Sequence, residues 1–331
     1  KTASYKTIMP AAGRARGMFQ FFHTNDISLS YLMAFQCITD YTAGTLYALD
    51  VNNNTWKTLA TGLDPFHMCG EQFGLKIYLV MGSAQPRKWW HGDTSWETIL
   101  PRLMNKGGIA VNISDGTTPV LTWNLTTTVT SNLNVNSYIG AGYYIRKSSS
   151  SSYWDEVKTV SGDGLTITLM TASSDTGASG AGTAQRAALC GAVAGSSPDY
   201  PLLVKVWKNK LWMACDMKSE SYYSRLYWSV TNDGENWSGT GSGFIDIGDN
   251  AGGEIITGLG TLDDYLFIFK DQSYYVYRWT GDLDEPIELV RTFNYGCVSH
   301  RTIQNIGGAL IYFTGSDLRM TNGNEDKSLS D

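Results

Sequence analysis

The sequence predicts an all-β protein: a β-propeller with four-stranded blades, interrupted by an inserted small β-barrel or sandwich domain. Three observations carry this. An apolar run rich in β-branched and aromatic residues recurs five times, at 31–35 (YLMAF), 77–81 (IYLVM), 211–215 (LWMAC), 266–269 (LFIF) and 310–313 (LIYF). The last four follow tight polar turns, Gly74-Leu75-Lys76, Lys208-Asn209-Lys210, Asp263-Asp264 and Gly307-Gly308. The run starts lie 46, 134, 55 and 44 residues apart, and a period near 45 is what four-stranded propeller blades produce. Third, 35 Gly, 8 Pro and 12% aromatic residues suit short strands joined by turns, and no amphipathic helix of three turns can be drawn.

Units of four strands can be placed around each run. The first takes 16–24, 31–39, 44–51 and 55–60, with Asn52-Asn53-Asn54 as the last turn, since Asn tolerates tight-hairpin backbone angles. The second takes 67–73, 76–81, 86–90 and 96–100, with the turn His91-Gly92-Asp93. Both end on a Trp that can cap one blade edge against the next. The third takes 200–207, 210–216, 225–230 and 243–247, and the fourth 255–262, 265–270, 273–279 and 287–293. The fifth takes 302–306, 309–313 and 318–321 and shows no evident last strand before Asp331. An open blade leaves unpaired edges, so closure is expected from chain continuing beyond Asp331, or else from an N-terminal strand over 5–9.

The long gap between the second and third runs reads as a guest domain. Residues 105–186 are rich in Thr, Ser, Gly and Val, and removing them shortens the gap to 52. Period-2 alternation recurs at 109–113, 120–123, 128–130, 143–146, 154–160 and 165–170. The Ser run 148–152 is expected at a hairpin tip, and the Gly/Ser/Ala-rich 173–183 as a linker. The expected division is 1–104, blades one and two; 105–186, the inserted domain; and 187–331, blades three to five.

Composition excludes some classes. The net charge of −6 argues against phosphate-backbone binding over the whole surface. Cys37, Cys69, Cys190, Cys215 and Cys297 form no CxxC pair, and free thiols in a reducing compartment are expected. No apolar stretch reaches membrane-spanning length and no signal-peptide pattern opens the chain. The chain opens on Lys1 rather than Met, which reads as a start lying upstream.

The stretch 229–237 (SVTNDGENW) resembles the Asp-box of sialidase-type propellers, with Asn232 at the usual Asp. Its Asx side chain and Gly234 form a turn and Trp237 tucks beneath, making it a folding element without chemistry. Glycosidase activity would also need an arginine cluster, a Tyr nucleophile and partner carboxylates, which cannot be placed. The loop 246–254 (DIGDNAGGE) offers oxygen ligands for Ca²⁺, but its spacing fits no EF-hand and an ordinary loop is preferred. Residues 13–17 (GRARG) read as a solvated basic turn, and 239–243 (GTGSG) as a loop lacking the Lys of a phosphate cradle. His23, His67, His91 and His300 share no ligand spacing. Trp89, Trp90 and Trp96 could form a sugar platform, though blade-edge packing is preferred. No catalytic, cofactor-binding or metal-binding residue is assigned, and no enzyme activity is expected.

Five stretches in this order carry a wider resemblance: GRARGMFQFFHTND, GTLYALDVNNNTWKTLATGL, QPRKWWHGDTSWE, FIDIGDNAGGEIITGLGTLDDYLFIFKDQSYYVYRW and NYGCVSHRTIQNIGGALIYFTGSD. Together they resemble the β-propeller proteins of short phage tails, the tail nozzle (tail tubular) and packaged-DNA stabilisation proteins. The resemblance implies a structural virion protein, assembled in the host cytoplasm. Several copies, with six expected, would ring the DNA channel below the portal and adaptor, retaining the genome and later conducting it. It implies no catalytic residues. A mildly acidic surface is compatible with DNA sliding past. The alternative expectation is a host-surface glycan-binding module or a sialidase-like glycosidase on a propeller.

Overall fold

Each recurrent apolar run becomes the second strand of a four-stranded antiparallel sheet, the position where both faces of a strand are covered. The computed structural model describes residues 13–22, 31–38, 43–50, 55–64, 67–90, 102–103, 108–111, 119–140, 142–151, 153–180, 183–187, 197–248 and 254–330. Blade one is β1 (Gly13–Phe21), β2 (Tyr31–Ile38), β3 (Gly44–Asp50) and β4 (Thr55–Leu63). Blade two is β5 (Cys69–Phe73), β6 (Lys76–Val80), β7 (Arg87–Trp90) and β8 (Arg102–Leu103). The insert runs β9 (Gly108–Ala110), β10 (Leu121–Asn124), β11 (Thr128–Ser131), β12 (Tyr144–Arg146), β13 (Asp155–Val160), β14 (Thr166–Leu169), β15 (Thr176–Ala178) and β16 (Gln185–Ala187). Blade three is β17 (Pro201–Trp207), β18 (Lys210–Asp216), β19 (Arg225–Trp228) and β20 (Gly243–Asp246). Blade four is β21 (Ile256–Leu262), β22 (Tyr265–Lys270), β23 (Tyr274–Trp279) and β24 (Ile287–Phe293). Blade five is β25 (Gln304–Ile306), β26 (Ala309–Phe313), β27 (Leu318–Thr321) and β28 (Asp326–Ser328). Each blade is a meander in sequence order, so the protein is an all-β propeller with an inserted β domain. The described residues contain no α-helix, only two 3₁₀ turns at Glu220–Tyr222 and His300–Thr302.

The tight turns are set by backbone angles. Lys208 and Asn209 both have positive φ (51° and 55°), as do Gly307 and Gly308 (59° and 85°). These are the two-residue hairpins whose twist matches the flanking strands. The second strands then alternate between two neighbours. In β18, Trp212 and Ala214 pack with blade four, while Leu211 and Met213 pack with blade two. In β22, Leu266 and Ile268 face blade three, and Phe267 and Phe269 face blade five. In β6, Ile77 and Leu79 face blade one, and Tyr78 and Val80 face blade three. The first strands β1, β5, β17, β21 and β25 meet in that order, one blade against the next.

Blade five breaks the pattern on one side. Leu310 and Tyr312 pack against blade four. The opposite face carries Ile306, Ile311, Phe313, Leu318 and Met320, brought level by the β25–β26–β27 register. There Ile306 is 58% exposed and Leu318 41%.

The structure corrects several expectations. Blade five does have a fourth strand, β28, paired with β27 through Arg319↔Ser328 and Thr321↔Asp326. Its three polar residues carry no apolar alternation to read, and its hold comes from the ladder and the Asp326 carboxylate. The Gly/Ser/Ala segment expected as a linker contains β15, which pairs with β10. All three β15 residues are exposed, so an edge strand there needs no apolar side chains. Residues 13–17 lie in β1, paired with β2 through a bulge between Ala15 and Gly17, rather than in a turn. The expected strands 5–9 and 96–100 and the turns at 52–54 and 91–93 lie outside the described residues.

The insert has its own sheet, in the order β15-β10-β11-β14-β13-β12-β16-β9, and its own core around Trp123, Val129, Ile145, Val157 and Ile167. The Trp123 indole donates to Asp155 Oδ2 at 2.7 Å, and the Ser173 hydroxyl donates to the same oxygen at 2.6 Å. Trp123→Phe should therefore destabilise the insert by about 1–2 kcal/mol, one buried charge-assisted hydrogen bond. Urea unfolding followed by a probe within the insert checks this.

Candidate functional site

Among the described residues, two candidate sites are a cavity where the inner strands of the blades converge and the seam between blades two and three. The cavity has a volume of about 490 Å³ and takes its walls from β5, β17, β21 and the segment 298–301. Met68, Met81, Met217 and Leu203 line it with apolar surface, and Asp64, His67, Asp271, His300 and Arg301 are its charged or titratable groups along with the Cys69 thiol. The His300 Nδ1 accepts the Leu259 N–H at 3.3 Å, which places the imidazole proton on Nε2 when the ring is neutral. Burial, with the cations Lys205 and Arg301, holds His300 down at about 4. The Cys69 thiol donates to the Val204 carbonyl at 3.6 Å, and burial pushes it up to about 11. Cys215 is pushed up to about 12 and Cys297 is also raised, both by burial. These three are free thiols, and none is a thiolate nucleophile near neutrality.

The His300 shift has a stability consequence. Its folded-state value lies below its unfolded value, so the unfolded chain takes the proton first as pH falls. Stability is then lost between about pH 6.5 and the folded value of about 4. His300→Gln, which keeps an acceptor for Leu259, should flatten this part of the acid profile by up to about 3 kcal/mol. Thermal melts across pH 7 to 4 test it.

The seam is built from three separate parts of the chain. β6 and β7 place Lys76 and Lys88 one above the other, since Lys76 pairs with Trp90 and Tyr78 with Lys88 across the ladder. The 230–237 turn of blade three delivers Glu235 between them. Asn232 sits at φ 61° and donates its N–H to the Asn209 carbonyl at 2.7 Å. Asp233 Oδ1 accepts the Glu235 N–H at 3.2 Å, and Trp237 lies fully buried with Tyr227 and Leu211. From the insert come Tyr144 on β12 and Glu156 on β13.

The resulting geometry is close. Lys88 Nζ donates to Glu235 Oε2 at 2.6 Å and to Tyr144 Oη at 2.9 Å. Lys76 Nζ donates to Glu235 Oε1 at 2.6 Å and to Tyr144 Oη at 2.8 Å. The Tyr144 hydroxyl donates to Glu156 Oε2 at 3.1 Å, and the Tyr78 hydroxyl to Glu235 Oε1 at 3.3 Å. Glu156 also lies 3.6 Å from Lys76 and 3.4 Å from Lys88. Side-chain exposure is 0% for Lys88 and 2% for Glu235, against 23% for Lys76 and 13% for Glu156. Burial lowers Lys88 to about 8, against the upward pull of Glu235 and Glu156. Tyr78 and Tyr144 are held well above the usual phenol range by burial and by Glu235. A cleft of about 690 Å³ opens beside the cluster, walled by Phe73, Val206 and Asn209.

The sequence missed this cluster. Its members are scattered from 76 to 235, and the Asp-box-like stretch was read as carrying no chemistry. The other sequence candidates lie elsewhere. Asp246 is engaged by Arg225 in a two-point pair at 2.7 and 2.8 Å, and Glu254 accepts the Ser273 hydroxyl at 3.1 Å. Residues 249–253 lie outside the described residues, and among the described residues no group of three or more His, Cys, Asp or Glu side chains could hold a metal. Trp89 is 2% exposed and meets Phe21 edge-on at 4.9 Å in the blade one–two core. It cannot join a surface sugar platform, because its ring is consumed by blade packing; the Trp90 side chain and Trp96 lie outside the described residues. His23, His91, Cys190 and the Cys37 side chain also lie outside them.

The fold and seam together define a β-propeller with an inserted β domain bound across two blades. No family model matches the sequence, and no curated protein matches it. Solved structures align at low similarity. A candidate 6-phosphogluconolactonase from Bacteroides uniformis aligns at 10% identity and TM-score 0.39, over 94% of this chain and 83% of that one. Hsv2 of Kluyveromyces lactis aligns at 10% identity and TM-score 0.32, over 93% and 74%. AztD from Citrobacter koseri aligns at 11% identity and TM-score 0.34, over 96% and 92%. Likeness at this level carries no argument about what the chain does.

Proposed function

We propose that this chain is a structural subunit of a phage tail, assembling into a ring around the DNA channel that retains and then conducts the genome. The observation that carries the reading is the uncovered apolar face of blade five. Large exposed apolar patches rimmed by polar groups mark interaction sites. This face joins Ile306, Ile311, Phe313, Leu318 and Met320, with Ile306 and Leu318 the most exposed. A ring built head to tail needs two different complementary patches on each subunit, and this face would be one of them. The sequence resemblance to short-tail propeller proteins supplies the rest. It points to self-association, with six copies expected, and to contact with portal or adaptor proteins in the virion.

Native mass spectrometry of the purified chain tests the assembly step. A closed oligomer is expected, and Ile306→Glu with Leu318→Glu should reduce it to monomer while leaving the thermal melt intact. Monomer at every concentration, or unchanged assembly in the double variant, would count against the reading.

A further inference from the structure

We propose that the Lys76–Lys88–Glu156–Glu235 cluster is a latch that seats the inserted domain on the seam between blades two and three, and that opening it frees the insert as a folded body. Three observations converge. Among the described residues, Tyr144 and Glu156 of the insert reach both lysines of blade two here. Glu235, brought by blade three, closes the cluster from the far side, so one set of charges joins three parts of the chain. The five apolar core clusters of the described residues each belong to the insert or to the blades, and none spans both.

The attachment is therefore polar where the blade contacts are apolar. Units joined by small polar interfaces move relative to each other by default. A buried, hydrogen-bonded set of charges opposes that motion through geometry, because each group left unpaired would have to be resolvated. Two positive and two negative charges meet, with the Tyr144 hydroxyl accepting from both lysines and donating to Glu156. The insert builds its own eight-stranded sheet and core, so it holds its fold without propeller contact. The latch thus fixes posture, and a load on the insert passes directly to the seam.

Amide hydrogen exchange on the full chain tests this, with the double variant Tyr144→Phe, Glu156→Gln on the insert side and Lys88→Met on the propeller side. Exchange at 142–146 and 232–237 should quicken by about tenfold or more. Strands β10, β11 and β14 of the insert and β21 and β22 of blade four should keep wild-type protection. Small-angle scattering should show a larger maximum dimension in the same double variant. If Lys88→Met does not fold, the insert-side variant decides alone, since Glu156 and Tyr144 lie outside the blades. Unchanged exchange and dimension would overturn the latch, and loss of protection throughout the insert would overturn its independence.

Discussion

Glu235→Ala is expected to cost about 3–5 kcal/mol of stability at pH 7, because it strips a buried ion pair of one partner. The Lys88 ammonium, 0% exposed, loses its 2.6 Å acceptor, and Lys76 and the Tyr78 hydroxyl lose theirs. Glu156 remains 3.4 Å from Lys88 but belongs to the insert, so the blade seam itself is left uncompensated. The pH dependence has a definite sign. Lys88 titrates lower in the folded protein, at about 8, than in the unfolded chain. The unfolded chain therefore binds more protons between those values, and the Lys88 contribution to stability rises with pH across that window. Removing Glu235 takes away an upward pull and widens the window, so the deficit of the variant should shrink between pH 7 and pH 10. Urea unfolding at the two values checks both parts. Replacing the pair together, Lys88→Met with Glu235→Leu, should recover most of the loss, since apolar replacements of a buried pair are often tolerated.

The second large effect is expected at Asp326. Its Oδ2 accepts the Tyr274 hydroxyl at 2.7 Å and the Tyr312 hydroxyl at 2.6 Å, and its Oδ1 accepts Arg319 Nε at 2.6 Å. One carboxylate thus ties β28 to the shared core of blades four and five. Asp326→Ala takes the acceptor from the buried Tyr312 hydroxyl and one of two carboxylates from Arg319, which keeps Asp317 at 2.7 Å, while Tyr274 keeps Thr321 at 2.9 Å. About 2–4 kcal/mol should be lost. With only three residues, β28 should fray, and amide exchange at 326–328 should approach the unprotected rate. Tyr312→Phe removes one donor and leaves the carboxylate served, so its cost should stay near 1 kcal/mol.

These two carboxylates also show what a sequence reveals and what it hides. The second strands were legible because both faces of β6, β18 and β22 are covered, which demands near-continuous apolar residues. Turns such as Lys208-Asn209 and Gly307-Gly308 were legible because positive φ restricts residue choice. The short strands β15 and β28 were not, since an exposed or edge strand is specified by its ladder rather than by alternation. For Trp89 the sequence favoured blade packing over a surface ring, and its edge-on contact with Phe21 is that packing. The seam cluster was hidden for a different reason. Lys76, Lys88, Glu156 and Glu235 acquire meaning only when the insert and two blades come together, and no local spacing encodes that meeting.

The proposed ring around the DNA channel is tested most directly by a reconstruction of the virion of a phage that encodes this chain. Several copies of the propeller are expected around the tail axis, below the portal, with the blade five face turned toward a neighbouring subunit. A virion lacking the protein, or one holding it off the axis with that face in solvent, would contradict it.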